Sequence, residues 1–391
     1  MAYSFDTIIP REGTNAYKLE LRGKVFGRAD VLPLWVADMD FAAPPEVARA
    51  IQQRAAHGIY GYTVRGDWFN NCVADWMQRR HQWQISPDWV EYGPGVVPQL
   101  VMAITAFTEP GDKIIIQTPV YPPFYSVVKE NGRQLEENPL IEKDGQYSMD
   151  FDLLAKQAAD ANTKMLILCQ PHNPVGRLWT KEELTRLANI CLENNVLMVS
   201  DEIHSDLMLY GNKHLPLASL SPEVADRTIT FMAPSKTFNI AGFSTSFAII
   251  GNEKLMSGYR KALMAMHQFT GNIFGAMAME AAYSHGEPWL EELLVYLQGN
   301  ADKVVRFLNS YMPEVNASPI EATYLMWLDF RKWGMTQSQL RGFIFQKAGV
   351  GLNDGTSFGP GGIGFMRLNI GSPWAVVEKG LTMIAEARAK L

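Results

Sequence analysis

The sequence predicts an α/β fold: a large domain with a mainly parallel sheet, and a smaller α+β domain beside it. Three observations carry that expectation. Short apolar runs of strand length alternate with longer amphipathic runs through the centre of the chain, a rhythm that implies right-handed crossovers and helices over both sheet faces. The C-terminal third changes texture, with one long helical stretch and then isolated strand-like runs. The 391 residues exceed what one small domain needs. The expected division is a large domain over 47–284, with 1–46 and 285–391 forming the small one.

Each element has a local reason. The first forty residues are rich in turns and are expected to join the small domain. A helix from Pro45 to about Ala56 has prolines at its entry and Gly58 beyond its end. The turn Tyr92-Gly-Pro-Gly95 precedes an apolar helical run, Gln99–Phe107. Candidate strands are Lys113–Gln117, Lys164–Cys169, Val196–Ser200, Thr228–Met232 and Ser246–Ile250. Between two of them, Thr180-Lys-Glu-Glu183 reads as a capping box that opens a helix to about Asn194. Trp289–Ser310 reads as a long helix, Tyr324–Phe330 as a strand and Ala375–Lys390 as the last helix.

Composition excludes several classes of function. Hydrophobic residues at 47% and charged residues at 19% give an ordinary globular balance. A net charge of −6 without a basic stripe argues against nucleic-acid binding. Cys72, Cys169 and Cys191 are odd in number and widely spaced, so neither a disulfide framework nor a zinc site is expected. Reduced thiols in a cytoplasmic protein are the expectation. The start, MAYSFDTIIPREGTN, shows no signal-peptide pattern, and no run of about 18 apolar residues suggests a membrane span. Seven histidines show no HExxH spacing, so no metal site is expected. His57, His81, His214, His267 and His285 point to no chemistry, and the nineteen methionines and ten tryptophans are assigned to packing.

In an open α/β sheet, ligands bind beyond the carboxyl ends of the strands. Three successive predicted strands end in polar clusters: Gln170-Pro-His-Asn173-Pro-Val-Gly176, Asp201-Glu-Ile-His204 and Ala233-Pro-Ser-Lys236-Thr-Phe-Asn239. Taken singly, each has a plain explanation: a turn, a helix cap, a solvated lysine. On one sheet edge, all three converge. The backbone N–H groups of Gly95, Val96 and Val97, at a helix start, form an anion site.

The order Asn173, Asp201, Lys236 resembles the fold-type I enzymes of pyridoxal 5′-phosphate (PLP), the class I/II aminotransferase superfamily with its aspartate aminotransferase-like fold. That resemblance implies roles. Lys236 forms the Schiff base and carries the proton at Cα. Asp201 keeps the ring nitrogen protonated, so that the ring acts as an electron sink. Asn173 donates to the phenolic oxygen. Tyr121, in Thr118-Pro-Val-Tyr121, stacks on the ring. Gly95, Val96, Val97 and Ser235 hold the phosphate, and Tyr62, in Tyr60-Gly-Tyr62-Thr, reaches the phosphate of a neighbouring subunit, which implies a homodimer with composite sites. Arg367, in Gly364-Phe-Met-Arg367-Leu-Asn369, grips the substrate carboxylate through paired hydrogen bonds.

Longer stretches narrow the resemblance. Trp35-Val-Ala-Asp38-Met-Asp40-Phe41, Ser200-Asp-Glu-Ile-His204 and Pro234-Ser-Lys-Thr-Phe-Asn-Ile-Ala-Gly242 look like the MalY/PatB-type cystathionine β-lyase or cysteine C–S lyase group. Ala37 becomes a substrate-binding position by the same resemblance. Two departures from the transaminase pattern point the same way: His204 stands where many transaminases carry a tyrosine, and Ser244 where they carry an arginine. The activity implied is α,β-elimination on L-cystathionine or related L-cysteine derivatives, giving pyruvate, ammonia and a thiol. The sulfur's proton comes from Lys236 or Tyr121. An aminotransferase shares every cofactor residue named, but it needs a keto-acid co-substrate. A regulatory or binding protein could also keep this fold, although an intact Lys, Asp, Asn and Arg set argues against that.

Overall fold

The computed structural model describes residues 3–390. Seven strands form the large sheet: β1 (Val90–Gly93), β2 (Lys113–Thr118), β3 (Gln134–Pro139), β4 (Thr163–Cys169), β5 (Leu197–Asp201), β6 (Thr228–Met232) and β7 (Ser246–Ile249). They lie in the order β1-β7-β6-β5-β4-β2-β3. β3, β2, β4, β5 and β6 run parallel, while β7 is antiparallel to both its neighbours. The sheet is therefore mixed but mainly parallel. Ile114–Ile116 and Leu166–Leu168 are almost fully buried, which is why these strands read as unbroken apolar runs rather than alternating ones.

The helices follow their sequence signals. Pro45–Ala56 is helical as expected. The helix Lys181–Glu193 opens on the complete capping box of Thr180 and Glu183. Val96–Phe107 starts three residues before the expected Gln99, because Pro98 fits the first turn of a helix, where its missing N–H costs nothing. Glu287–Tyr311 buries Leu290, Leu293, Leu297, Ala301, Val304 and Leu308, a stripe at helical spacing.

A second, antiparallel sheet follows: β8 (Asn316–Ala317), β9 (Leu325–Asp329), β10 (Asn353–Asp354) and β11 (Phe365–Asn369), in the order β8-β9-β11-β10. β9 starts one residue after the expected Tyr324. The N-terminal segment is stitched onto this part. Leu32–Pro33 pairs in parallel with Val350–Gly351, and Asn369 N–H donates to the Leu34 carbonyl at 3.0 Å. Among the described residues no helix is long and apolar enough to cross a membrane.

Candidate active site

The carboxyl ends of β4, β5 and β6 are adjacent in the sheet, so the polar clusters that follow them meet. A cavity of about 140 Å³ lies there, lined by Ala37, Val96, Val97, Tyr121, Cys169, Asn173, Asp201, Ile203, His204, Ser235 and Lys236. Nine of these are expected site residues; Cys169 and Ile203 are additions, and the buried Cys169 thiol donates to Pro171 O and accepts from the Asn173 N–H, both at 3.4 Å.

Lys236 Nζ donates to the Ala37 carbonyl at 2.6 Å. Burial and then the Arg367 guanidinium bring its midpoint down to about 8, against the pull of Asp38 and Asp201. Asp201 accepts from the Ile203 N–H at 3.1 Å. Burial raises its carboxyl to about 7, and neighbouring Glu202 adds to this. Asn173 accepts from Arg367 Nη1 at 2.9 Å, which leaves its amide nitrogen as a donor. Arg367 is buried and donates also to Trp35 O at 3.0 Å and Asn353 Oδ1 at 2.6 Å, with its guanidinium over the Phe358 ring. Its Nε has no partner among the described residues. Burial holds His204 neutral, with a midpoint near 3, and its Nδ1 is also without a partner among the described residues. Tyr121 lines the cavity, its phenol pushed up by burial.

The turn into the expected anion site is built by backbone geometry. Gly95, at φ 129°, occupies a region closed to side-chain-bearing residues and turns the chain into the helix Val96–Phe107. A Cβ on Gly93 would sit 2.2 Å from the buried Gln99 side chain, which would have to move from its bond to the Tyr259 hydroxyl to make room. The residues thus fit PLP: a lysine of low basicity, a buried carboxyl able to face the ring nitrogen, an amide donor, an aromatic face and a helix start. Tyr62, by contrast, is 97% exposed and outside the cavity.

Several residues were not legible in advance. The segment 34–41 forms no strand, yet side chains from elsewhere hold its carbonyls: Arg367 binds Trp35 O, Asn369 binds Val36 O and Asp38 O, Tyr324 binds Ala37 O, and Asn239 binds Met39 O and Phe41 O. Asp38 and Asp40 pair with Arg11 and the buried Lys18. Behind the pocket, Asp206 accepts from His81 at 3.0 Å, Trp76 at 3.1 Å and Thr237 at 2.7 Å. Glu202 accepts from His214 at 2.6 Å and Ser200 at 2.7 Å. His81 and His214, assigned no role from sequence, thus anchor the neighbours of Lys236 and Asp201. The Glu202 and Asp206 that follow Asp201 were the available signal, since buried carboxylates need partners.

Residues 29–384 match the family described as aminotransferase class I and II. The chain is 47% identical over 385 residues to cystathionine beta-lyase PatB of Bacillus subtilis, covering 98% of this chain and 99% of that protein. It superimposes with a TM-score of 0.97 on cystalysin from Treponema denticola, a structure containing pyridoxal 5′-phosphate, at 39% identity and full coverage (100%) of both chains. A PLP-bound C–S lyase from Staphylococcus hominis matches at TM-score 0.91 and 36% identity, over 98% of each chain.

Proposed function

From the premise that this chain belongs to the aminotransferase class I and II family, we propose that it is a PLP-dependent carbon–sulfur β-lyase. It acts on L-cystathionine or related L-cysteine derivatives and yields pyruvate, ammonia and a thiol. One observation carries the site: Lys236, Asp201, Asn173 and the helix start at Val96 line one cavity, with Arg367 bonded to Asn173 at its edge. The lyase branch is supported by the relatives named PatB, cystalysin and C–S lyase.

Bound in the cavity, PLP supplies the electron sink that accepts the pair left by Cα–H cleavage. The chain's own residues do the rest. Arg367 binds the substrate carboxylate through its free Nε edge and orients the Cα–H bond. Lys236 has its midpoint near 8, so a useful fraction is neutral at neutral pH, and it takes the Cα proton. Asp201 would hold the proton at the ring nitrogen. Asn173 would donate to the ring oxygen through its amide, and the N–H groups at Val96 and Val97, with Ser235, would hold the phosphate. The Cβ–S bond breaks after the Cα–H bond, and the departing sulfur takes a proton from Lys236 or Tyr121. The released enamine adds water to give pyruvate and ammonia.

The same reading includes a homodimer with composite sites. Ile59, Tyr60, Tyr62 and Val64 form an exposed apolar segment whose Tyr62 reaches the partner's phosphate. It also includes the division at 47–284 and a cytoplasmic location. The test is pyruvate release from L-cystathionine by the PLP-loaded protein with no keto acid added. Stoichiometric pyruvate, ammonia and thiol support the lyase. A shift to pyridoxamine absorbance, with turnover only when a keto acid is supplied, replaces it with an aminotransferase. PLP binding with neither response points to a regulatory role.

A further inference from the structure

The Ala37 carbonyl accepts from two side chains far apart in sequence: Lys236 Nζ at 2.6 Å and the Tyr324 hydroxyl at 2.9 Å. Tyr324 stands just before β9 and is buried. Its ring meets His204 edge-on at 6.2 Å and lies against Gly371, where an added Cβ would come within 3.3 Å. The ring alone satisfies that packing, and a phenylalanine would fill the same space. The hydroxyl is the feature that needs a reason, because a buried phenol must find an acceptor. The acceptor it finds is the one Lys236 uses.

We propose that Tyr324 is a positioning residue for Lys236: its hydroxyl fixes the Ala37 carbonyl, and that carbonyl holds the free lysine amine in place for proton transfer. The inference rests on the lyase reading above. Ala37 lies in a segment without strand pairing, between backbone bonds at Leu34 and Asp40, and its own carbonyl is held by side chains. Trp35 O is held by Arg367, and Val36 O and Asp38 O by Asn369. Ala37 O has Tyr324 as its one anchor besides the lysine among the described residues. A lysine amine sits on a flexible four-carbon stem. A fixed acceptor restricts where that amine rests whenever it is not covalently engaged, and orientation at a reacting atom translates into rate.

The test is Tyr324→Phe in the full-length, PLP-loaded protein. The expected result is a fall of about tenfold in kcat for pyruvate release from L-cystathionine, with KM within about twofold. The isotope effect with Cα-deuterated substrate should rise, because proton transfer becomes slower than the steps around it. A second reading needs no turnover: growth of the visible absorbance band, when PLP is added to cofactor-stripped protein, should slow by a similar factor. Wild-type kcat, isotope effect and band growth in the variant would overturn the proposal. So would a loss of kcat that follows a lowered melting temperature with the isotope effect unchanged, which marks packing alone. If the wild type releases no pyruvate while band growth still slows in Tyr324→Phe, the lyase reading fails and the positioning role stands.

Discussion

Replacing Arg367 with methionine should make Lys236 a poorer nucleophile at neutral pH, although the two residues form no bond. Burial is the largest cause of the low Lys236 midpoint of about 8, and the Arg367 cation is the next. A nearby cation disfavours the protonated amine, so removing it makes protonation easier and moves the midpoint up. One such neighbour is worth on the order of 1 pH unit or more; burial, which remains, keeps the midpoint below that of a free lysine. At pH 8 the wild-type amine is about half neutral, whereas an unperturbed lysine is neutral in fewer than about 1 molecule in 100. The assay is the rate at which cofactor-stripped protein captures PLP, read as growth of the visible band from pH 6 to pH 10. Wild-type capture should climb about tenfold per pH unit and flatten near pH 8. Arg367→Met should flatten about one unit higher and be about tenfold slower at pH 7. A wild-type rate still climbing at pH 10, or a variant inflection that stays put or moves down, would refute the reasoning.

Lys236→Ala should abolish pyruvate release and the visible band of the bound cofactor, checked by absorbance and a coupled pyruvate assay; full lyase activity in that variant would sink the assignment. Asp206→Asn removes a buried carboxylate that accepts from His81, Trp76 and Thr237, and should cost about 1–3 kcal/mol in denaturant unfolding, with cofactor capture by the adjacent Lys236 slowed. The Asp201 carboxyl, raised to about 7 by burial, binds its proton more tightly folded than unfolded. Its contribution to the stability of cofactor-free protein is therefore full below about pH 4 and lost as the pH rises through about 7; Asp201→Asn should flatten that part of the melting-temperature profile. Tyr62→Ala should weaken PLP retention, and mixing it with Lys236→Ala should restore part of the activity through hybrid dimers; no recovery on mixing would argue against sites shared between subunits.

Much of this protein could be read from its residues because its central information is local. Parallel strands buried on both faces announce themselves as unbroken apolar runs, as in Ile114–Ile116 and Leu166–Leu168. Helix boundaries were written in the Thr180–Glu183 capping box and in the proline and glycine punctuation. Adjacent parallel strands also end on one sheet edge, so Asn173, Asp201 and Lys236 could be brought together from topology alone. The reversed direction of β7 has no such signal, since its side chains see the same apolar surroundings either way.

What only the tertiary structure decided are the contacts made across long stretches of chain. The anchoring of segment 34–41 by Arg367, Asn369, Asn239 and Tyr324 joins residues about 200 to 330 positions apart, and no periodicity encodes such a pairing. His81 and His214 look like any surface histidines in sequence; burial beside Asp206 and Glu202 gives them their place. The basicity of Lys236 likewise belongs to no motif. It comes from desolvation and from the Arg367 charge, and both arise only when the chain has closed around the site, because a charge is costly where water has been excluded and a second like charge has been brought near.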